Sequence, residues 1–262
     1  DYPPHFWIER QDQYVICGSG KAQEQARALG YPESRILRTS GMILNPKFHA
    51  PMAIDRAGER IHLGLRPDLP TALVSFGGQG SMDAVKVAKA INRCGAEIQM
   101  IVLCGRHEEA MRKLRAMRHR VPVHLEGFTT NVPFYMRLAD FFIGKPGPGS
   151  ISEALAMRLP VIVERNPWTL AHERYNADWI VEQQLGIVVG GSSQIGGAIA
   201  EMLSPERYTR FRANAAAVKN SAVYEIPELL AGILAAGQAQ APQPRGIIHA
   251  WKATPAAPYC RS

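Results

Sequence analysis

The sequence predicts a doubly wound α/β domain on a parallel sheet, and three features of its central part predict it. Short β-branched runs recur from residue 71 onward, and the stretches between them have helical spacing. The runs are apolar at consecutive positions, as expected of strands covered on both faces. Such sheets receive ligands at the carboxyl ends of their strands.

The predicted strands are TALVSF (71–76), IQMIVLCG (98–105), VPVHLEG (121–127), DFFIGK (140–145), LPVIVE (159–164) and GIVVG (186–190). Helices are expected to begin near Ser81, His107, Val132, Ser150, Ala171 and Ser192. Two more follow: PERYTRFRANAAAVKN, with Pro205 and Glu206 in its first turn, and IPELLAGILAAG, closing at Gly237. Upstream, QYVICGS reads as a strand, GKAQEQARALG as a helix ending at Gly30, and RILRTSG as a second strand. No internal repeat is visible. The expected organisation is a remnant of another domain with a connection over 1–50, a linker over 51–70 that includes RAGERIHLGLRPDLP, the α/β domain over 71–237, and a poorly ordered Ala/Pro/Gln-rich tail over 238–262.

Composition narrows the function classes. A chain of 262 residues with 46% hydrophobic and 20% charged residues can bury a core without staples. Cys17, Cys94, Cys104 and Cys260 form no C-x-x-C or Cys/His cluster, which argues against structural zinc or a disulfide scaffold and fits a reducing compartment, the cytoplasm by default. No run is long and apolar enough to span a bilayer, and the start, DYPPHFWIER, has neither a charged n-region nor an apolar h-region. That start also lacks Met, so the expectation is a chain that begins inside a longer protein, or a processed terminus. The formal charge of +7 suits nucleotides, nucleic acid or anionic lipid. Within RHEEAMRKLRAMRHR, Arg112, Lys113, Arg115, Arg118 and Arg120 fall on one expected helix, with Met111, Leu114 and Met117 facing a core. A solvated helix face is the simpler reading of that helix and an anionic membrane surface the alternative, which would make the protein peripheral on the cytoplasmic face. No nucleic-acid-binding signature accompanies it, so no nucleic-acid partner is expected.

The stretch KPGPGSISEALAMRLPVI (145–162) places two prolines and two glycines between a strand and a good helix. It is either a plain turn or a loop that presents backbone N–H groups to an anion. The first N–H groups of a helix lack internal partners and carry about half a positive charge, which suits phosphate. GGQGSMD (77–83) follows an earlier strand in the same way. Neither loop matches G-x-G-x-x-G, and there is no G-K-[ST]. Each alone leaves both readings open; two on one sheet edge favour the anion site.

GGQG, then EGFTTNVPFYMRLADFFIGKPGPGSISEALAMRLPVIVE, then HERYNADWIVEQQLGIVV resemble the C-terminal, donor-binding domain of glycosyltransferase family 28. Within the family the likeness is nearest to the monogalactosyldiacylglycerol synthase group; the bacterial lipid II N-acetylglucosaminyltransferase is more distant. The resemblance spans about residues 34–203 and implies a GT-B architecture, two Rossmann-like domains facing across a cleft, of which this chain is mainly the donor half. DYPPHFWIERQDQYVICGS is similar to the final stretch of the other, acceptor-binding domain. Two departures stand out: GMILNPKF has Asn45 where the family places an Arg near the phosphates, with Lys47 close by, and GGQGSM is one residue shorter than the usual loop.

The resemblance also implies roles. Phe128 and Thr129 would read the uracil edge through backbone groups. Gly78 and Gln79 would hold the diphosphate across the cleft from Gly147, Pro148, Gly149 and Ser150. Glu153 would accept both ribose hydroxyls, and His172, Glu173 and Asn176 would touch the sugar hydroxyls. Two of these have plainer readings, Glu153 as a carboxylate on its own helix N-terminus and His172 as a structural or exposed histidine.

The implied reaction is inverting transfer from a UDP-α-sugar to a lipid hydroxyl such as that of diacylglycerol, with the base in the other domain and no cofactor. No DxD-like carboxylate pair is placed to hold Mg²⁺, in keeping with a mechanism without bound metal. Because most of the acceptor domain is absent from the sequence, the isolated chain is expected to be inactive. One alternative is a non-catalytic nucleotide-sugar-binding subunit that needs a partner chain. Another is a GT-B sugar-nucleotide epimerase, whose acids and bases the sequence does not place.

Overall fold

The six runs from Thr71 onward form one parallel sheet. In the computed structural model, which describes residues 8–240, its strands are β3 (Thr71–Ser75), β4 (Gln99–Leu103), β5 (Val123–Glu126), β6 (Phe141–Gly144), β7 (Val161–Glu164) and β8 (Gly186–Val189). Their order is β5-β4-β3-β6-β7-β8, with every neighbouring pair parallel. Helices α3 (Asp83–Cys94), α4 (Glu108–Arg115), α5 (Val132–Leu138), α6 (Pro148–Ala156), α7 (Ala171–Glu182) and α8 (Ile195–Met202) alternate with the strands as the spacing predicts. This is the expected doubly wound, Rossmann-like α/β fold.

Period-2 alternation divides the core between the two faces. Ala72, Val74, Met100 and Phe141 pack with α3 and α8 on one face, while Leu73, Ile101 and Phe142 pack with α5, α6 and α7 on the other. Phe141 and Phe142 are consecutive and both fully buried, one in each layer, which only a strand covered on both sides allows. Burying such a side chain contributes about 1.5 to 3 kcal/mol.

The order in which strands are added reverses between β3 and β6. The first leads outward to β4 and β5, the second to β7 and β8. Ser75 of β3 is paired with Gly144 of β6, so both glycine-rich loops leave the sheet side by side at its carboxyl edge. A Cβ on Gly144 would lie 2.4 Å from the Ser75 carbonyl oxygen, so the close approach requires glycine there.

Upstream, the predicted strand, helix and strand form as β1 (Val15–Cys17), α1 (Gly20–Ala28) and β2 (Ile36–Arg38), and β1 and β2 pair in parallel. The stretch read as a linker differs from expectation. It contains α2 (Arg56–His62), capped by Asp55, and Arg60 within it is buried. Arg60 donates to the Leu138 carbonyl and to Asp140 (both 2.7 Å), and Arg56 also donates to Asp140 (2.6 Å). Reading this stretch as a linker missed that two of its cations meet one carboxylate, Asp140, just before β6.

After α9 (Pro205–Ala217), α10 (Ala222–Gln240) begins before IPELL and passes Gly237. Pro227 lies inside it, and Gly237 does not take the left-handed conformation that closes a helix. The chain divides into two compact units at Ile226/Pro227, the second being helical up to Gln240. Of the predicted tail, 238–240 continue the helix, and 241–262, with Cys260, lie outside the described residues, as do 1–7. The basic helix is shorter than expected. It ends at Arg115, so Arg118 and Arg120 fall in the irregular connection after it, while Leu114 is buried and Lys113 pairs with Glu109 at 2.8 Å on the solvated face. Among the described residues no helix is long and apolar enough to cross a membrane, and the three described cysteines are free thiols.

Candidate functional site

The GGQG loop is folded by its glycines. Gly77 and Gly80 take φ of 85° and 72°, and the Gly80 N–H donates to the Gly77 carbonyl at 2.9 Å, closing a tight turn. A Cβ on Gly80 would lie 1.9 Å from the Cys104 carbonyl oxygen, so the turn packs directly on the loop after β4. The Arg106 N–H donates to the Gly78 carbonyl at 3.0 Å, joining the two loops. Gly78 and Gln79 stay exposed on the outer side.

A third loop meets them. Glu126, at the end of β5, accepts the Tyr135 hydroxyl and the Gly127 N–H, and the Tyr135 hydrogen bond holds its carboxyl below the usual range. These bonds fix the turn that carries Phe128 and Thr129. The Phe128 ring is half exposed, with the Arg106 guanidinium 3.8 Å from its centroid, and a Cβ on Gly78 would touch its edge at 3.7 Å. The Thr129 hydroxyl accepts the Asn131 N–H at 3.0 Å and so shapes the start of α5. Phe128, Gly78 and Arg106 thus form one wall. Arg106, the first residue of RHEEAMRKLRAMRHR, was not named as a site residue from the sequence; its signal was its place directly after a strand-ending glycine on the loop edge.

Across from this wall, KPGPG opens α6. Gly147 caps the helix, Pro148 is its first residue, and Gly149 and Ser150 complete the turn. No protein atom lies within 4 Å of a Cβ built on Gly149, so the space over that backbone is open. Glu153 follows one turn later. Its carboxylate is half-buried and has no hydrogen-bond or ion-pair partner among the described residues, and burial pushes it up to about 7.

Helix α7 supports the same loop from behind. Asn176 is buried and its amide donates to the Pro146 carbonyl at 2.8 Å. Glu173 is buried with one oxygen 3.3 Å from Lys145 Nζ and 3.4 Å from where a Gly147 Cβ would sit. Both side chains are therefore engaged with KPGPG itself, a support that sequence reading, which assigned them to sugar hydroxyls, did not show. His172 is half-buried in the first turn of α7. Between β7 and α7, Arg174 donates to the carbonyls of Pro167 and Thr169 (3.1 Å each), which holds a loop whose Trp168 is 90% exposed. A cleft of about 890 Å³ adjoins the seat: Ser19, Met42 and Ile43 line one side, and Pro148, Ile151 and Trp179 the other. Among the described residues no group of three His, Cys, Asp or Glu side chains is close enough to hold a metal ion.

Residues 71–229 match the family model of the glycosyltransferase family 28 C-terminal domain. A probable chloroplastic monogalactosyldiacylglycerol synthase of Glycine max is 29% identical over 209 residues, covering 77% of this chain and 39% of that protein, so the chain spans about two fifths of the relative's length. Among solved structures, Anabaena Alr3699/HepE in complex with UDP-glucose superposes with a TM-score of 0.60 at 16% identity, covering 87% of this chain and 65% of that one. S. aureus MnaA, solved with UDP, gives 0.66 at 14% identity, covering 88% and 63%. At these identities the structural likeness shows the fold alone.

Proposed function

The chain belongs to glycosyltransferase family 28, and from that premise we propose that it is the donor-binding part of a UDP-sugar-dependent inverting glycosyltransferase that transfers a hexosyl group to a lipid hydroxyl such as that of diacylglycerol. The observation that carries the proposal is Glu153. A half-buried carboxylate without a partner stands one turn into a helix whose open, glycine-lined N-terminus faces the GGQG loop across the switch point of the sheet. A diphosphate on the N–H groups of Gly149 and Ser150 brings the adjoining ribose toward Glu153 and the base toward the Phe128–Thr129 turn. Two of these proteins support the substrate classes: the Glycine max protein is a probable monogalactosyldiacylglycerol synthase and the Anabaena protein was solved with UDP-glucose.

In the reaction the acceptor oxygen forms a bond to the anomeric carbon as the carbon–oxygen bond to UDP breaks, with inversion, and the hydroxyl proton passes to a base contributed from outside the donor seat. This chain's residues bind and orient the donor. The α6 N-terminus and the loop N–H groups stabilise charge gathering on the departing diphosphate. Glu173 and Asn176 keep KPGPG in the conformation that presents those groups, and His172, in the first turn of α7, is assigned to the sugar. Protein in the cytoplasm, peripheral on a membrane face through its acceptor site, fits such an activity. Calorimetric titration of UDP into wild type and Glu153→Gln tests the seat: weaker binding by the variant is expected, and equal binding contradicts it.

A further inference from the structure

On the opposite edge of the sheet a second cleft, of about 570 Å³, opens at the carboxyl ends of α5 and α6, where the chain turns back into β6 and β7. Arg56, Arg137, Arg158, Arg212 and His49 line it, and no acidic side chain does. Arg56 is paired with Asp140, a carboxylate it shares with Arg60, whereas Arg137, Arg158 and Arg212 have no ion pair among the described residues. Positive charge is therefore concentrated here without matching negative charge.

Hydrogen bonding is incomplete as well. Arg137 donates one bond to the Ala50 carbonyl (2.8 Å) and Arg212 one to the Tyr208 hydroxyl (3.1 Å). The Nε atoms of Arg56 and Arg137 are buried with no acceptor, and Nε2 of His49 is buried with no hydrogen-bond partner. Native proteins rarely leave such groups unmatched, and each calls for a physical reason.

Arginines at helix carboxyl ends are commonly explained by the helix carbonyls they cap. Arg56 fits that account, since it donates to the Ala139 carbonyl at 2.6 Å. Arg158 does not. It closes α6 in the left-handed conformation, φ 60°, with its own N–H on the Leu155 carbonyl (2.8 Å) and the Leu159 N–H on the Ala154 carbonyl (2.9 Å). Glycine is the favoured residue at that position. Gln184 closes α7 the same way, but its side chain returns to the Val181 carbonyl at 3.2 Å. The Arg158 side chain is exposed and makes no hydrogen bond, so neither its backbone nor its neighbours account for an arginine there.

We propose that this cleft binds a phosphate group, at a site separate from the nucleotide seat. Guanidinium forks match tetrahedral oxyanions, and an anion supplies the acceptor and the charge that the protein lacks here. The phosphate can belong to a soluble monoester or to a phospholipid headgroup, which share this chemistry. The assignment does not depend on the donor reading, because the cleft lies at the other end of the strands.

The test uses the full chain with UDP-glucose, which carries no terminal phosphate, in excess, so that any phosphate site in the glycine loops is filled. One arm titrates inorganic phosphate and glycerol 3-phosphate at ionic strength held constant with chloride; the other measures sedimentation with phosphatidylcholine vesicles with and without phosphatidylserine. Arg158→Gly relieves the left-handed backbone, so its thermal midpoint should equal or exceed that of wild type while phosphate affinity falls about tenfold. Arg212→Gln gives an independent second reading and should also weaken binding. Saturable binding in the soluble arm alone assigns a soluble ligand, and binding in the vesicle arm alone assigns a headgroup. Absence of binding in both arms, or binding that both variants leave unchanged, overturns the proposal.

Discussion

The guanidinium of Arg106 lies over the ring of Phe128, 3.8 Å from its centroid, and ties the loop after β4 to the turn after β5. The same arginine's N–H is bonded to Gly78, so one residue sets the spacing of three loops at the carboxyl edge.

Removing that clamp should loosen the turn proposed to read the base. We expect Arg106→Ala to lower UDP affinity by about three- to tenfold, consistent with a cation–π contact of about 0.5 to 2 kcal/mol. Arg106→Lys should lose less. Titration calorimetry checks both, and unchanged affinity in Arg106→Ala would separate Phe128 from the nucleotide.

A second expectation concerns the segment between residues 51 and 70. Asp140 holds Arg56 and Arg60 and also accepts the Thr71 N–H at 2.7 Å. Asp140→Ala leaves the buried Arg60 without its anion and should cost about 3 kcal/mol or more of stability. Urea unfolding measures this; a loss below about 1 kcal/mol would mean that α2 docks by other contacts.

The Glu153 carboxyl supplies a pH test. Its pKa in the folded chain is pushed up to about 7 from an ordinary 4.5, so the native state binds more protons than the unfolded state between those values. The stabilising contribution is complete below the unfolded value and is lost as pH rises through about 7, so Glu153→Gln should be more stable than wild type at about pH 8. Ligand binding has the opposite sign, because the ionised carboxylate is the better acceptor for two ribose hydroxyls. Affinity for UDP-glucose, whose diphosphate does not titrate in this range, should rise between about pH 6 and pH 8 in wild type and stay flat in Glu153→Gln. Parallel pH profiles would contradict this.

The α/β part of the fold was legible in the sequence because the four inner strands are buried on both faces while α6 buries only Ile151, Ala154 and Leu155 at helical spacing, so periodicity separates FFIG from ISEALA. Both glycine loops were legible for the same reason, since each interrupts that rhythm. Long-range polar pairing was not. Nothing local in RAGERIH announces that Arg56 and Arg60 meet Asp140, and nothing in HERYN shows that Glu173 and Asn176 turn toward Lys145 and Pro146. Pro227 misled the placement of α10, because a proline early in a long helix removes only one hydrogen bond and the helix began five residues before it.

The most direct test of the donor-seat assignment is calorimetry with UDP and a UDP-sugar on wild type, Glu153→Ala and His172→Ala. Losing two charge-assisted hydrogen bonds to a ribose should cost about 1.5 to 3 kcal/mol, so Glu153→Ala should bind UDP roughly ten- to a hundredfold more weakly. His172→Ala should bind UDP nearly as wild type does and be impaired only with the UDP-sugar. Equal affinity of wild type and Glu153→Ala for UDP would show that KPGPGSISEAL is a helix-starting turn and not a nucleotide seat.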